Sequence, residues 1–178
     1  MPITLVRHAE VIEEYRGKYN GHIDIPLSEN GKEQAKELAQ KLQDEKYDKV
    51  YCSDLLRARQ TLEAFSLHVE PIFTEKLREK SWGIHEGKSF EEISQMGIEY
   101  ENFEQWIRAL DGEDIDSYKQ NIKEFFYNIV FKDEAQNTLI ITHSGVIKTI
   151  LGILNSYSLE ESFSLKIPYL STQTINIK

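Results

Sequence analysis

The sequence has one cysteine, Cys52. A disulfide framework within the chain and a cysteine metal cluster are therefore excluded, and cytoplasmic residence becomes the default expectation. The setting Val50-Tyr51-Cys52 reads as a small buried hydrophobe in a strand. No stretch approaches the ~20 apolar residues that a membrane span needs, so no membrane association is expected. The opening Met-Pro-Ile-Thr-Leu-Val runs straight into Arg7. It has no positive leader, long apolar region or small-residue cleavage site, and predicts no secretion signal. Repeats, low-complexity tracts and linkers are missing too. Basic residues are scarce, 21 Lys and Arg against 30 Asp and Glu, for a net charge of −9. That argues against nonspecific nucleic-acid binding, which needs a basic face. A small anionic ligand remains compatible, because a few converging arginines reverse the local potential whatever the total charge.

What is present is the composition of a globular protein. Of 178 residues, 40% are apolar and 29% charged, which suits one domain spanning 1–178. Residues 2–7 predict a first strand, and the stretch with Gly17, Asn20, Gly21 and Pro26 a loop. Ser28 is placed to cap a helix whose apolar positions are Ala35, Leu38, Ala39 and Leu42. Lys49–Ser53 predicts a second strand, Leu55–Leu67 a second helix and Val69–Thr74 a short third strand. Two amphipathic helices follow, one on Ile98, Phe103, Trp106, Ile107 and Leu110, the other on Ile122, Phe125, Phe126, Ile129 and Val130. Thr138–Thr142 has the unbroken β-branched character of a buried central strand. Val146–Leu154 reads as helix, and residues 163–177, with period-two alternation over 172–177, as the last strands. Strands alternating with helices imply an α/β fold, a largely parallel sheet covered on both faces. Ligands of such sheets sit beyond the carboxyl ends of the strands.

The reactive residues fall at those ends. The first strand ends in Arg7-His8, the second in Ser53-Asp54 with Arg57 one helical turn on, and the Thr138–Thr142 strand in His143-Ser144-Gly145. Parallel strands would bring two histidines and two arginines to one edge. Arginines bind phosphate oxygens through bidentate, charge-assisted hydrogen bonds, and a helix start after His143 adds anion affinity. A neutral imidazole is a competent nucleophile toward phosphorus. A second histidine, if protonated, would stabilise charge on the transferring group. This chemistry calls for no metal and no cofactor, and the absence of a close-spaced histidine pair weighs against zinc. It does call for a carboxylic acid to protonate the leaving group. Glu75, Glu79 and Glu86 are all candidates that spacing does not separate.

Five segments in order resemble the histidine phosphatase superfamily, the phosphoglycerate mutase-like proteins. They are Leu5-Val6-Arg7-His8-Ala9-Glu10; Gly21 to Ser28 followed by Gly31, Gln34 and Ala35; Ser53 to Thr61; Leu77 to Gly87; and Ile141 to Ile147. The resemblance implies a three-layer α/β/α sandwich with a mostly parallel mixed sheet. It implies that His8 becomes phosphorylated, that Arg7, Arg57 and His143 hold the phosphoryl group, and that Glu79 protonates the leaving group and then activates water. Glu86 falls at a motif position with no chemical role. Ala9 replaces the usual glycine, a small change. Glu14 stands where many members have a phosphate-contacting asparagine, and a carboxylate there would repel phosphate; either the loop is shifted and Asn20 supplies the contact, or Glu14 points away. Gly21 and Ser144 complete the expected substrate contacts.

A short insert at about 88–120 is expected to roof the pocket. Its only bases are Lys88, Arg108 and Lys119, which disfavours bisphosphorylated sugars. Phe90, Tyr100, Phe103, Trp106 and Tyr118 offer either aromatic surface to a substrate or ordinary helix core. The compact length, Ala9-Glu10-Val11, Asn20-Gly21-His22 and Gly112-Glu113 are most similar to the α-ribazole phosphatases of cobalamin assembly. The expected partner is a small-molecule phosphomonoester. A cofactor-dependent phosphoglycerate mutase, a phosphohistidine protein phosphatase and a non-catalytic phosphate-binding module are the alternatives. The oligomeric state, monomer or homodimer, is left open, with the last strands as a possible pairing edge.

Overall fold

A computed structural model describes residues 1–176. Five strands form one sheet: β1 (Pro2–Arg7), β2 (Lys49–Ser53), β3 (Ile72–Thr74), β4 (Thr138–Thr142) and β5 (Thr172–Asn176), in the order β3-β2-β4-β1-β5. The first four are parallel, and β5 is antiparallel to β1. Every residue of β4 is buried, as an unbroken Thr-Leu-Ile-Ile-Thr run in a covered parallel sheet requires.

Alternation along the strands divides the core into two layers. Ile3, Leu5, Tyr51 and Ile140 face one way, into a cluster with Ile122, Phe126, Ile147 and Ile150. These belong to the helices α5 (Ile115–Asn128) and α6 (Ser144–Asn155). Val6, Val50, Cys52, Leu139 and Ile141 face the other way, against Ala58, Leu62 and Leu38, from α1 (Glu29–Lys41) and α2 (Leu56–Leu62). The result is the three-layer α/β/α sandwich with a mostly parallel mixed sheet. Ser28 caps α1 by accepting from the Gly31 amide.

Several boundaries differ from the periodicity. α2 stops at Leu62; Phe65 and Leu67 still pack on the core, but from a turn. The third strand starts only at Ile72, because Pro71 has no N–H to donate to a ladder. Of the helix expected from Ile98 to Leu110 only α4 (Phe103–Ala109) is helical, and a separate short helix, α3 (Phe90–Ser94), precedes it. Gly97, at φ +82, breaks the chain between them, and Asn102 caps α4 by accepting from the Gln105 amide. Ile129 and Val130 lie past the end of α5. The larger correction is at 163–177. Leu159–Ser164 is a helix, α7, opened by a capping box in which Ser158 and Glu161 each bond the other's backbone amide. Only Thr172–Asn176 is strand, and residue 177 lies outside the described residues.

The register sets the site. Arg7 pairs with Thr142 across β1 and β4, and Cys52 with Ile141 across β2 and β4. His8, Asp54 and His143 therefore all follow the same row at the carboxyl edge.

Candidate active site

A 440 Å³ cavity opens at that edge. Arg7, His8, Asn20, Arg57, Glu79 and Ser144 all line it. The His8 and His143 rings lie 5.1 Å apart, centroid to centroid.

His8 is fixed by its own turn. Its amide donates to the Thr142 carbonyl at 2.9 Å, and its Nδ1 lies 2.8 Å from the Ala9 carbonyl oxygen. A carbonyl only accepts, so Nδ1 carries the hydrogen and Nε2 keeps a lone pair. Burial, then the guanidinium groups of Arg57 and Arg7, hold the ring well below the ordinary 6.5, so it is neutral at neutral pH. The Ala9 amide donates to Thr61 Oγ1 at 2.9 Å, and that hydroxyl donates to the Arg57 carbonyl at 2.8 Å. Thr61 thus ties the His8 turn to the helix carrying Arg57.

His143 is fully buried. Its Nε2 lies 2.8 Å from Ser53 Oγ, which already accepts from the Leu55 amide at 3.4 Å. With no other acceptor for its hydrogen among the described residues, the Ser53 hydroxyl donates to Nε2, which places the ring hydrogen on Nδ1, and Nδ1 has no protein partner. Burial, Arg57 and His8 push this ring too well below 6.5. It is a neutral donor, not the imidazolium that sequence reasoning allowed for.

Both arginines are held by backbone carbonyls. Arg7 donates from Nη1 to the Ile167 carbonyl at 2.6 Å and lies 4.2 Å over the Tyr169 ring. Arg57 donates from Nη1 to Ile23 O at 2.9 Å, and from Nη2 to Gly21 O at 2.7 Å and Asn20 O at 3.2 Å. Burial pulls Arg57 down to about 10, leaving it a cation at neutral pH. Each arginine keeps a buried Nε–H with no partner. Unpaired buried donors are rare and costly, about 1–3 kcal/mol apiece. Here three cluster, on two arginines and a histidine, an arrangement suited to the oxygens of a tetrahedral anion.

Glu79 closes the opposite side. Its Oε2 accepts from the Gly145 amide at 2.9 Å, and its Oε1 from its neighbour's Lys80 amide at 3.0 Å. A Cβ at Gly145 would collide with this carboxylate, so the glycine is what lets the carboxylate reach the start of α6. Glu75 and Glu86 do not line the cavity. Glu86 instead accepts from the amides of Gly21 (2.7 Å), His22 (2.8 Å) and Trp82 (3.0 Å), and so shapes the loop whose carbonyls hold Arg57.

Asn20 lines the cavity, with Nδ2 donating to the Tyr15 carbonyl at 2.6 Å and Oδ1 buried without a partner. Gly21 does not line it; its place is behind Arg57. Glu14 is exposed on the 3-10 turn Glu13–Tyr15 and points no carboxylate into the cavity. Ala9 is buried against Leu27 and Ala35. Three residues were given no role from the sequence: Ser53 as the His143 partner, Tyr169 under Arg7, and Lys148, half-buried in the cavity wall and donating to Phe163 O at 2.8 Å. Lys148 was findable, one turn after Ser144 on the same helix face. Tyr169 was not, because it sits on an irregular turn. Among the described residues no group of three or more His, Cys, Asp or Glu side chains is placed to hold a metal ion, and no helix is long and apolar enough to cross a membrane.

Comparison with known proteins decides the family. The profile of the histidine phosphatase superfamily, branch 1, matches residues 3–178. The chain belongs to that superfamily. Among similar proteins, the adenosylcobalamin/alpha-ribazole phosphatase of Salmonella typhimurium is 31% identical over 164 residues, covering 86% of this chain and 79% of that one. Phosphoserine phosphatase 1 of Hydrogenobacter thermophilus is 30% identical over 184 residues, covering 99% and 86%. The crystal structure of the alpha-ribazole phosphatase from Shigella flexneri superposes with a TM-score of 0.87 at 27% identity, covering 100% of this chain and 91% of that one. The protein is a phosphoric monoester hydrolase of the histidine phosphatase type.

Proposed function

We propose that this histidine phosphatase hydrolyses a small-molecule phosphomonoester through a phosphohistidine on His8, with α-ribazole 5′-phosphate as its substrate. The observation that carries the mechanism is the free Nε2 of His8 beside three unpaired donors, Arg7 Nε, Arg57 Nε and His143 Nδ1. His8 Nε2 attacks phosphorus, and the three donors hold the non-bridging oxygens as charge builds. The bond from phosphorus to the leaving oxygen breaks, and Glu79 gives that oxygen its proton. Glu79, now a carboxylate, takes a proton from water, which attacks the phosphohistidine and releases phosphate and neutral His8. Asn20 and Ser144 complete the substrate contacts. Gly21 acts one step removed, through Arg57.

The choice of substrate rests on the outer wall, where Tyr19, Trp82, Phe90, Phe103 and Phe163 surround the mouth. Flat aromatic surface suits a heteroaromatic aglycone far better than a small amino acid. Residues 88–120 supply part of this roof, and the whole chain works as one domain. Cytoplasmic residence fits the single buried thiol of Cys52.

A panel of α-ribazole 5′-phosphate, 3-phosphoglycerate, O-phosphoserine and a phosphohistidine peptide tests the assignment. kcat/KM is expected to be highest for α-ribazole 5′-phosphate, by about tenfold or more from burial of its ring system, and unchanged in excess EDTA. Preference for the peptide would overturn the small-molecule reading, and preference for phosphoserine the aromatic one.

The ionisation of His8 fixes the acid side of the pH profile. Its pKa is depressed, so the neutral nucleophile persists as pH falls through 6.5. After correction for the substrate's own ionisation, kcat/KM is expected not to fall between pH 7 and 6.5 and to drop only below that. An acid limb centred at 6.5 or higher would contradict a nucleophile buried between two guanidinium groups.

A further inference from the structure

Tyr118 lies on the first turns of α5, 3% exposed and packed in the larger core cluster. Its spacing with Ile115 and Ile122 is that of a core position. Yet its hydroxyl donates to Glu79 Oε1 at 3.2 Å. Burial and the adjacent Glu79 raise the phenol well above 10, so it stays a neutral donor.

The acceptor geometry of Glu79 gives this contact a consequence. A carboxylate oxygen has two lone-pair directions. On Oε1 one is taken by the Lys80 amide at 3.0 Å and the other by the Tyr118 hydroxyl at 3.2 Å. On Oε2 only the Gly145 amide is bound among the described residues, at 2.9 Å, which leaves a single open direction on the whole group. We propose that Tyr118 is a positioning residue that confines the transferable proton of Glu79 to Oε2. The proposal rests on the reading of Glu79 as the acid that protonates the leaving group.

Without the hydroxyl, Oε1 gains a second place for the proton, facing the core wall where no substrate oxygen comes. The carboxyl also loses one of the three donors that orient it. Both effects reduce the fraction of the enzyme with its proton correctly placed, and neither touches the phosphoryl pocket.

The test exploits leaving groups. An alkyl phosphate such as glycerol 2-phosphate needs a proton on its departing oxygen; p-nitrophenyl phosphate departs as a stabilised phenolate and does not. Tyr118→Phe keeps the ring in the core. It is expected to lower kcat/KM for glycerol 2-phosphate by about tenfold, a fraction of the ~10²–10⁴ that general acid catalysis supplies, and to change that for p-nitrophenyl phosphate less than about twofold. Equal losses on both substrates, or none on either, would overturn the proposal, since a merely structural role loosens both reactions alike. The double variant Glu79→Gln/Tyr118→Phe gives a second readout. Its activity on glycerol 2-phosphate should equal that of Glu79→Gln alone, because Tyr118 acts only through the carboxyl; additive losses would reject the inference. A wild-type protein that turns over neither substrate, with no phosphohistidine, defeats the parent reading and the inference with it. Normal turnover with an unselective Tyr118→Phe defeats the inference alone.

Discussion

His8→Ala is expected to abolish turnover, with kcat down by about 10⁴-fold or more, as for other covalent nucleophiles. It should also leave no phosphorylated protein when substrate and enzyme are mixed and quenched under alkaline denaturing conditions. The folded state should tolerate the change. The ring donates one hydrogen bond, to the carbonyl of the next residue, and the Ala9 amide keeps its bond to Thr61. Phosphate and vanadate should still bind, because Arg7, Arg57 and His143 remain. Retention of anion binding with loss of chemistry separates a nucleophile from a mere contact. A variant that still forms phosphoenzyme, or that hydrolyses substrate within tenfold of wild type, would reject His8 as the attacking group.

Arg57→Ala is expected to damage catalysis and stability together. One cation and one unpaired donor leave the phosphoryl site, for a loss of about 10²–10³ in kcat/KM. Three backbone carbonyls, of Asn20, Gly21 and Ile23, lose their donors at once. Relief from burying a charge offsets part of this, leaving a net cost of about 3 kcal/mol and a melting temperature lower by roughly 10 °C for a chain of this size. Arg57→Lys should recover some charge but not the fork that reaches three carbonyls. It is expected between the two in both measurements. Wild-type melting temperature with lost activity would mean that Arg57 holds only the phosphate and not the loop.

The chemistry-bearing rows of this fold were legible because strand direction is a strong constraint. Arg7, Ser53 and Thr142 each end a β-rich run, and parallel pairing leaves those ends on one edge. Ordered motif resemblance then distinguished Glu79 from Glu75 and Glu86, which spacing alone did not. What was not legible depends on contacts between distant, irregular segments. The turn at Pro168–Ser171 that brings Tyr169 under Arg7 contains Leu170 at φ +58, and nothing in the local sequence announces a left-handed leucine. The α7 helix was misjudged for another reason. Phe163, Leu165 and Ile167 alternate with polar residues as a strand would, while the Ser158-Leu159-Glu160-Glu161 capping box carried the true signal. Gly21 was expected as a substrate contact, and the structure places it behind Arg57 instead. Its carbonyl serves Arg57 and its amide serves Glu86, so the motif records how an arginine is held in place.

The strand order has a bearing on how the protein comes to be active. β4 lies between β1 and β2, although more than 80 residues separate it from the end of β2. It is also flanked on both sides by strands made long before it. Until β4 arrives, the earlier strands have a gap at the centre of their sheet, His143 is absent, and the Gly145 amide that holds Glu79 does not exist. During synthesis the phosphate site therefore forms late, once Ile167 and Tyr169, which hold Arg7, have followed residue 145 out of the ribosome. Affinity for a phosphate-like anion thus reports completed assembly of the sheet, and long-range pairing of this kind is slow to form.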